Sequence, residues 1–382
     1  MMNISNRVGS SAYRAIADDS LKDEDNGFWL RGVAPEARNV WLQRFSWLRW
    51  VDRLAEQEHV VDCQGCQFSG FYHNWKQLFN THHLPSSTSY PILQEIDLAW
   101  FQLPMAAQAQ AEITAWDRYV DAIAAYHAPT LRLNTLADYE QMLLHLAGSC
   151  FQFLPDLPPH YRDIAGYLGM VDQFYNNLRD LYEDAQQGIC YFPESVLRRF
   201  HLTREDILTQ RCFEQGGYRP MMQFWVDQYL PRLCRQTLPL LLATDLPPAW
   251  QCLISWFVHR YVRIESTFKA CHDNFVTFSQ VYHQAVAQDL EHYSCLASEQ
   301  FRAQLQVQYD TAELPTFLKM GPAAIAALRQ NHQWGTAVSV EWGSSATRTA
   351  PQCQGWQRPL NEVAFGWGGG CEYSPALPHS FK

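Results

Sequence analysis

Residues 169–193 read GMVDQFYNNLRDLYEDAQQGICYFP, a stretch in which polar and charged residues recur among apolar ones. Steps of three and four residues place Gln173, Asn176, Asp180 and Asp184 on one stripe of a helix, with Arg179 beside it. Carboxylates four residues apart on a helix have Cβ atoms roughly 5–6 Å apart, so both can reach one small group of divalent ions. The spacing therefore predicts a polar site on a helix.

The residue types on this stripe indicate a site for magnesium and phosphate. Magnesium prefers oxygen ligands and usually combines a few carboxylates with substrate phosphates. Asn176 offers an amide oxygen, and the planar guanidinium of Arg179 suits a phosphate. A solvated helix face is the alternative, because two aspartates four residues apart are common on surfaces. The small and apolar residues at 165–171 favour a buried helix that opens onto a polar site.

A second acidic segment has a similar pattern. In FSWLRWVDRLAE, residues 45–56, Asp52 and Glu56 are four apart and Arg49 lies three before Asp52, among aromatic residues such as Phe45. If the two helices face each other, four carboxylates bracket a cavity with aromatic walls. Such a cavity suits a substrate with a diphosphate head and a long hydrocarbon tail. A surface cluster of arginine, aspartate and glutamate is the alternative for this segment.

The composition predicts a large apolar interior and excludes some partners. Of 382 residues, 47% are hydrophobic and 18% charged, whereas about 25% of residues in ordinary soluble domains are charged. The net charge of −10 argues against general nucleic-acid binding, which needs a basic surface. The first residues lack a continuous apolar run, and no segment approaches the ~20 apolar residues of a membrane span. We expect a cytoplasmic protein, with peripheral membrane contact left open.

The cysteines favour free thiols in a reducing compartment. Eleven are dispersed along the chain, and most lie in apolar helical patterns where cysteine acts as a small core residue. The pair Cys63 and Cys66, with His73, His82 and His83 downstream, is a zinc-binding alternative. No second CxxC pair follows it, and its spacing fits no standard zinc finger.

Helical periodicity dominates the chain to about residue 295, and strand alternation is nearly absent. The periodic segments are 28–59, 93–128, 134–154, 160–186, 203–216, 218–242 and 246–294. Between the first two we expect a short helix and a long loop. We divide the chain into a polar, loose arm at 1–26, an all-α domain at 27–295 and an irregular Gly- and Trp-rich extension at 296–382.

These motifs together resemble the squalene/phytoene synthase family. The stretch 169–184 resembles the family's second aspartate-rich motif, and GICYFP at 188–193 is similar to its GRxYLP segment. LRWVDRLAE at 48–56 resembles the first aspartate-rich motif. The segment 139–148 resembles a family helix that runs from a tyrosine to an Ala-Gly pair, here Ala147 and Gly148. The likeness spans about residues 26–290.

The resemblance implies an all-α class I isoprenoid synthase bundle around a central apolar cavity. It implies head-to-head condensation of two farnesyl or geranylgeranyl diphosphates to presqualene diphosphate, squalene or phytoene, with Mg²⁺, and with NADPH where squalene is the product. The implied catalytic and metal-binding residues are Asp52, Glu56, Asp180 and Asp184, with Asn176 as a further metal ligand. The implied substrate-binding residues are Arg49, Gln173, Asn176, Arg179, Phe45, Ala147, Gly148 and Tyr191.

Four positions depart from the family pattern. Arg53 replaces a second aspartate, Glu56 a closing aspartate, Ile189 the arginine of GRxYLP, and Asn26 a common serine. These departures motivate two alternatives: a terpene cyclase or single-substrate enzyme on the same fold, and a non-catalytic prenyl-lipid-binding homologue. The sequence sets neither the substrate chain length nor the oligomeric state.

Overall fold

The structure, a computed structural model, describes residues 17–60, 67–85, 88–102, 107–126 and 131–331. Within these ranges every regular element is helical and no strand occurs, which confirms the all-α class. Cys63, Cys66 and most of the predicted extension, from residue 332, lie outside the described residues. None of the described helices is both long and apolar enough to cross a bilayer.

The first half of the bundle is built from helices of very different length. They are α1 (Ala17–Gly27), α2 (Pro35–Val60), α3 (Gln67–Thr81), α4 (Pro91–Trp100), α5 (Ala107–Tyr126), α6 (Leu136–Leu143), α7 (Ser149–Phe153), α8 (Arg162–Arg179) and α9 (Leu181–Gln186). A π-helical turn, Leu144–Gly148, joins α6 to α7. Residues 17–26 of the predicted loose arm thus form a helix, and α3 is longer than the short helix expected there.

The second half is more fragmented. It contains α10 (Glu194–Arg199), α11 (Arg204–Leu208), α12 (Tyr218–Gln223), α13 (Leu230–Gln236), α14 (Leu238–Leu241), α15 (Pro248–Ala270), α16 (Phe275–Ser294), α17 (Ser298–Gln308), α18 (Leu314–Leu318) and α19 (Pro322–Asn331). The periodic segment 246–294 is two helices, because His272 and Asp273 adopt positive φ angles of 53° and 63° and end the first of them.

Two apolar cores hold these helices together. The smaller core lies among α2 to α5 and is rich in tryptophan, including Trp47, Trp75 and Trp116. The larger one surrounds α8 and α15 and also receives Phe301 and Phe317 from helices after residue 295. The domain boundary at residue 295 stays a prediction, and the helices beyond it contribute side chains to that core.

The main chain of α8 packs directly against the main chain of the π-helical turn. A Cβ atom added to Gly169 would lie 2.2 Å from the carbonyl oxygen of Ala147 and 2.7 Å from Cα of Gly148. Only a residue without a side chain fits this contact. The Ala147–Gly148 pair and Gly169 therefore act together to set how closely α8 approaches its neighbour.

A cluster of buried charges ties α1 to α15 and α16. Asp25 on α1 is 2% exposed and pairs with Arg260 and Arg263 on α15. Arg263 also donates to Asp289 on α16 at 2.7 Å. Buried charges require such partners, since an unpaired charge in an apolar interior is strongly unfavourable. These pairs fix the N-terminal helix on the bundle.

His259 belongs to the same cluster. Its contacts predict that the free energy of unfolding depends on pH. Its imidazole contacts Glu313 through Nδ1 and Asp289 through Nε2, the latter at 2.9 Å. Burial opposes the charged ring, but hydrogen bonds and charges of Asp289 and Glu313 raise the pKa of His259 to about 9. Because this folded pKa lies above the unfolded value of about 6.5, the stabilisation is complete below about pH 6.5 and disappears as the pH rises through 9.

We therefore expect the free energy of unfolding to fall by on the order of 3 kcal/mol between pH 6 and pH 10 through this group. Urea unfolding of the chain and of His259→Gln at pH 6, 8 and 10 measures it. The variant should be less stable at pH 6 and should lose less stability on the way to pH 10. Parallel pH profiles for the two proteins would contradict the assignment.

Candidate active site

Asp180 lies at a break between α8 and α9 and forms ion pairs with two positively charged side chains. Its backbone angles of φ −94° and ψ 7° interrupt the helix that the periodicity predicts over 169–184. Arg179 donates to both carboxylate oxygens at 2.8 and 2.6 Å, a contact that adjacent residues on a regular helix do not make. Lys22 of α1 approaches Oδ1 at 2.8 Å. Although burial acts in the other direction, Arg179 and Lys22 lower the pKa of Asp180 to about 2.

Asp184 is in the opposite electrostatic situation. It is half-buried, and no described side chain forms an ion pair with it. Burial and the negative charges of Asp180 and Glu183 raise the pKa of Asp184 well above its ordinary value. Glu183 itself accepts from the Ser279 hydroxyl at 2.9 Å, and its Oε2 is buried without a partner. This end of the site holds more negative charge than its neighbours neutralise.

Asn176 presents an unsatisfied oxygen one turn before Asp180. Its Nδ2 donates to Asp172 at 3.0 Å, whereas its Oδ1 is buried and has no hydrogen-bond partner. Asp172 also accepts from the Tyr261 hydroxyl at 3.1 Å and lies 3.5 Å from Arg260. Burial raises the pKa of Asp172, while Arg260 and Arg179 act to lower it.

The first acidic segment lies on α2, as the sequence predicts. Asp52 accepts a short hydrogen bond from the Tyr119 hydroxyl of α5. Burial and the Asp52 charge raise the pKa of Tyr119 well above its usual value, and Arg49 opposes this rise. The side chain of Glu56 lies outside the described residues, so its role as a metal ligand stays a prediction.

The thiol of Cys150 on α7 is influenced by charges from both acidic helices, α2 and α8. Its thiol pKa is raised well above the ordinary value, first by burial and then by the charges of Asp52 and Asp172. The charges of one residue of α2 and one of α8 therefore act on the same half-buried thiol. Nothing local in the sequence indicated this.

An apolar recess begins beside Asp184. Aromatic and aliphatic side chains line it, and they pack closely enough to leave only a small space among them. Its lining consists of Tyr139, Phe174, Asn177, Leu178, Leu181, Asp184, Tyr191, Phe192, Met222 and Trp225. Two residues of the predicted site, Asp184 and Tyr191, thus line this recess.

Other predicted site residues lie farther from the carboxylates or have structural contacts. Gln173 donates to Asn177 at 2.9 Å, and Phe45 packs on Trp29 and Trp41 in the larger core. Ala147 and Gly148 are buried in the π-helical turn, where they contact α8. Their predicted part in substrate binding stays a prediction.

The segment at 188–193 is held without the arginine that the family pattern expects at 189. The amide of Ile189 donates to the carbonyl of Asp184 at 2.8 Å. Arg204 of α11 donates to the carbonyls of Gly188 and Cys190, the latter at 3.0 Å. An arginine therefore does reach this loop, but it binds the main chain from a distant position in the sequence.

The side chains present fit a magnesium ion that keeps part of its water. In the described ranges, no three His, Cys, Asp or Glu side chains form a metal-binding group. The groups that would hold it are the buried, unpartnered oxygen of Asn176 with the carboxylates of Asp184 and Asp180, the latter after exchange of a contact with Arg179 or Lys22. Magnesium accepts such a set, because it retains several waters and takes further oxygens from substrate phosphates.

Comparison with solved structures identifies the fold. The fold is similar to that of a dehydrosqualene synthase in a crystal structure with ligand, with a TM-score of 0.52 and 16% sequence identity. The match covers 71% of this chain and 93% of that one. The helical bundle predicted from the sequence is therefore confirmed as the isoprenoid synthase fold.

Sequence comparison defines the family. The family model described as squalene/phytoene synthase matches residues 35–286, which is more than half of the chain. The chain therefore belongs to the squalene/phytoene synthase family. A stretch of 74 residues is 34% identical to the 15-cis-phytoene synthase of Synechococcus elongatus (strain ATCC 33912 / PCC 7942 / FACHB-805). That match spans 19% of this chain and 23% of the relative.

Proposed function

We propose that the chain is a prenyltransferase that condenses two prenyl diphosphates head to head. The substrates are farnesyl or geranylgeranyl diphosphate, and the products are presqualene diphosphate, squalene or phytoene. Membership of the squalene/phytoene synthase family supports this proposal. Its main structural support is the position of Asp184, whose carboxylate lies beside Asp180 and also lines an apolar recess. A charged head group and a hydrocarbon tail need these two environments next to each other.

The chain's own residues would bind and orient the diphosphate. Arg179 is 8% exposed and is aligned by Asp180, and its Nη1 is buried without a partner, so it can donate a charge-assisted hydrogen bond to a phosphate oxygen. Lys22 adds a second positive charge on the same side of Asp180. Both cations favour departure of the diphosphate with the bonding electron pair.

Mg²⁺ held by Asn176, Asp180 and Asp184, and by Asp52 with Glu56, would neutralise the negative charge that develops on the leaving diphosphate. Aromatic side chains of the recess, such as Phe174 and Trp225, exclude water from the allylic cation and stabilise it through their ring faces. The double bond of the second substrate then captures the cation, and a proton is lost as the cyclopropane ring closes. NADPH would supply the hydride only where squalene is the final product.

The location of the protein belongs to the same proposal. The seven cysteines among the described residues are free thiols, as in proteins of reducing compartments. We propose a cytoplasmic enzyme that binds its hydrophobic prenyl diphosphate substrates from solution or at a membrane surface.

A product assay tests the proposed reaction. Purified protein is incubated with farnesyl or geranylgeranyl diphosphate and Mg²⁺, with and without NADPH, and the extracted products are identified by mass spectrometry. We expect a C30 or C40 product and release of diphosphate, both abolished by EDTA. A cyclic C15 or C20 product would identify a terpene cyclase instead. Tight lipid binding without diphosphate release would identify a non-catalytic homologue.

A further inference from the structure

Asp172 is a buried carboxylate that the proposed reaction does not use. It lies on α8 one turn before Asn176 and is 8% exposed. Two groups from α15 hold its Oδ1: the Tyr261 hydroxyl donates to it at 3.1 Å, and the Arg260 guanidinium forms an ion pair with it at 3.5 Å. Its other oxygen, Oδ2, accepts from Nδ2 of Asn176 at 3.0 Å. The carboxylate is therefore fixed in orientation by a neighbouring helix and has one oxygen left for Asn176.

This contact determines which end of the Asn176 amide faces the site. Oδ2 of Asp172 accepts a hydrogen bond from Nδ2 of Asn176, so the amide turns its NH₂ group toward Asp172. The amide oxygen then points away from Asp172. It is buried and has no partner among the described residues. An unsatisfied buried acceptor destabilises a protein by about 1–3 kcal/mol, so its retention needs an explanation.

A cation next to Asp180 and Asp184 supplies that explanation. The amide oxygen lies on the same stripe as both aspartates, and the excess negative charge there attracts a positive ion. We propose that Asp172 is a positioning residue, which holds the Asn176 amide so that its oxygen, and not its NH₂ group, faces the divalent cation. This inference rests on the proposed function, because it takes the cation site as given.

The geometry predicts what a neutral residue at position 172 would do. In Asp172→Asn, the Tyr261 hydroxyl and the positive charge of Arg260 would keep the amide oxygen of residue 172 on their side, so its NH₂ would face Asn176. Asn176 would then turn its oxygen toward residue 172 and its NH₂ toward the cation. A donor facing a cation is repulsive, and loss of a partner that orients a metal ligand typically lowers metal affinity 10- to 100-fold.

Exchanging the two residues should restore the site. In the double variant Asp172→Asn, Asn176→Asp, the NH₂ of residue 172 donates to the new carboxylate, whose second oxygen remains free for the cation. Asn176→Asp alone places two carboxylates in contact on α8 and should not bind better than the original chain. The exchange separates an orienting role from a structural one, since a structural defect at position 172 would not be repaired by changing residue 176.

Mn²⁺ binding measured by electron paramagnetic resonance, with an unreactive prenyl thiodiphosphate present, reads this out without turnover. We expect at least 10-fold weaker binding for Asp172→Asn and recovery to within about 3-fold in the double variant. Tyr175→Phe is the matched control, because it removes another hydrogen bond between α8 and α15, from Tyr175 to Glu265 at 3.0 Å. It should bind Mn²⁺ like the original chain.

The outcomes separate this inference from the proposed function. Original protein that binds no Mn²⁺ would overturn both the cation site and the positioning role. Normal Mn²⁺ binding by the original chain and by Asp172→Asn would overturn the positioning role alone. A double variant no better than Asp172→Asn would do the same. Thermal unfolding of each variant ensures that only folded protein is compared.

Discussion

Asp184→Asn is expected to lower kcat for diphosphate release by on the order of 10³-fold, because it removes a charge that stabilises the transition state through the bound cation. The same change should leave the protein as stable as before, or more stable. The half-buried carboxylate lies beside Asp180 and Glu183, whose charges already disfavour its own. A neutral amide of the same shape relieves that repulsion, so activity and stability should change in opposite directions.

Two measurements check this prediction: kcat and KM at saturating Mg²⁺, and the free energy of unfolding in urea. The matched control is Asp163→Asn, which neutralises a carboxylate in the first turn of α8, at the other end of the same helix. It should change neither value appreciably. Retention of more than a tenth of kcat in Asp184→Asn would show that this carboxylate does not hold the cation.

Arg263→Met should destabilise the protein by about 3–5 kcal/mol, the usual range when one partner of a buried ion pair is removed. Arg263 is 7% exposed and pairs with Asp25 and Asp289. Without it, Asp25 would keep Arg260 as its one ion-pair partner among the described residues. Urea unfolding at neutral pH measures the loss.

A double-mutant cycle identifies the cause. If the loss comes from an uncompensated buried charge, Asp25→Asn together with Arg263→Met should be more stable than Arg263→Met alone. If the double variant is less stable by the sum of the single effects, packing and not charge explains the result. Activity provides a second measurement, because Asp25 and Lys22 lie on the same helix, and loosening of α1 would move Lys22 away from Asp180.

The sequence could predict those features that depend on local spacing. The stripe of Asn176, Asp180 and Asp184 follows from steps of four residues, and the periodic segments locate the main helices. The spacing could not show the break at Asp180, because that break goes with an ion pair between adjacent residues that a regular helix would not form. Periodicity describes the average course of a helix and not its interruptions.

The features that the sequence could not show depend on contacts between distant segments. Lys22 reaches Asp180 across 158 positions, Tyr119 reaches Asp52 from another helix, and Arg204 reaches the loop around Ile189. Each of these residues lies in a segment without a motif of its own. Asp172 is the exception: it stands four residues before Asn176, so its contact with that amide was available from helical spacing.

The contact between Gly169 and the turn at Leu144–Gly148 fixes the position of α8 independently of the recess. Main-chain atoms set the distance between α8 and this turn, so side-chain volume does not decide it there. The walls of the recess, in contrast, are formed by side chains such as Phe174, Met222 and Trp225. Exchanges among those side chains can deepen or shorten the recess while α8 keeps its place against the turn. The position of α8 and the shape of the recess therefore depend on different atoms.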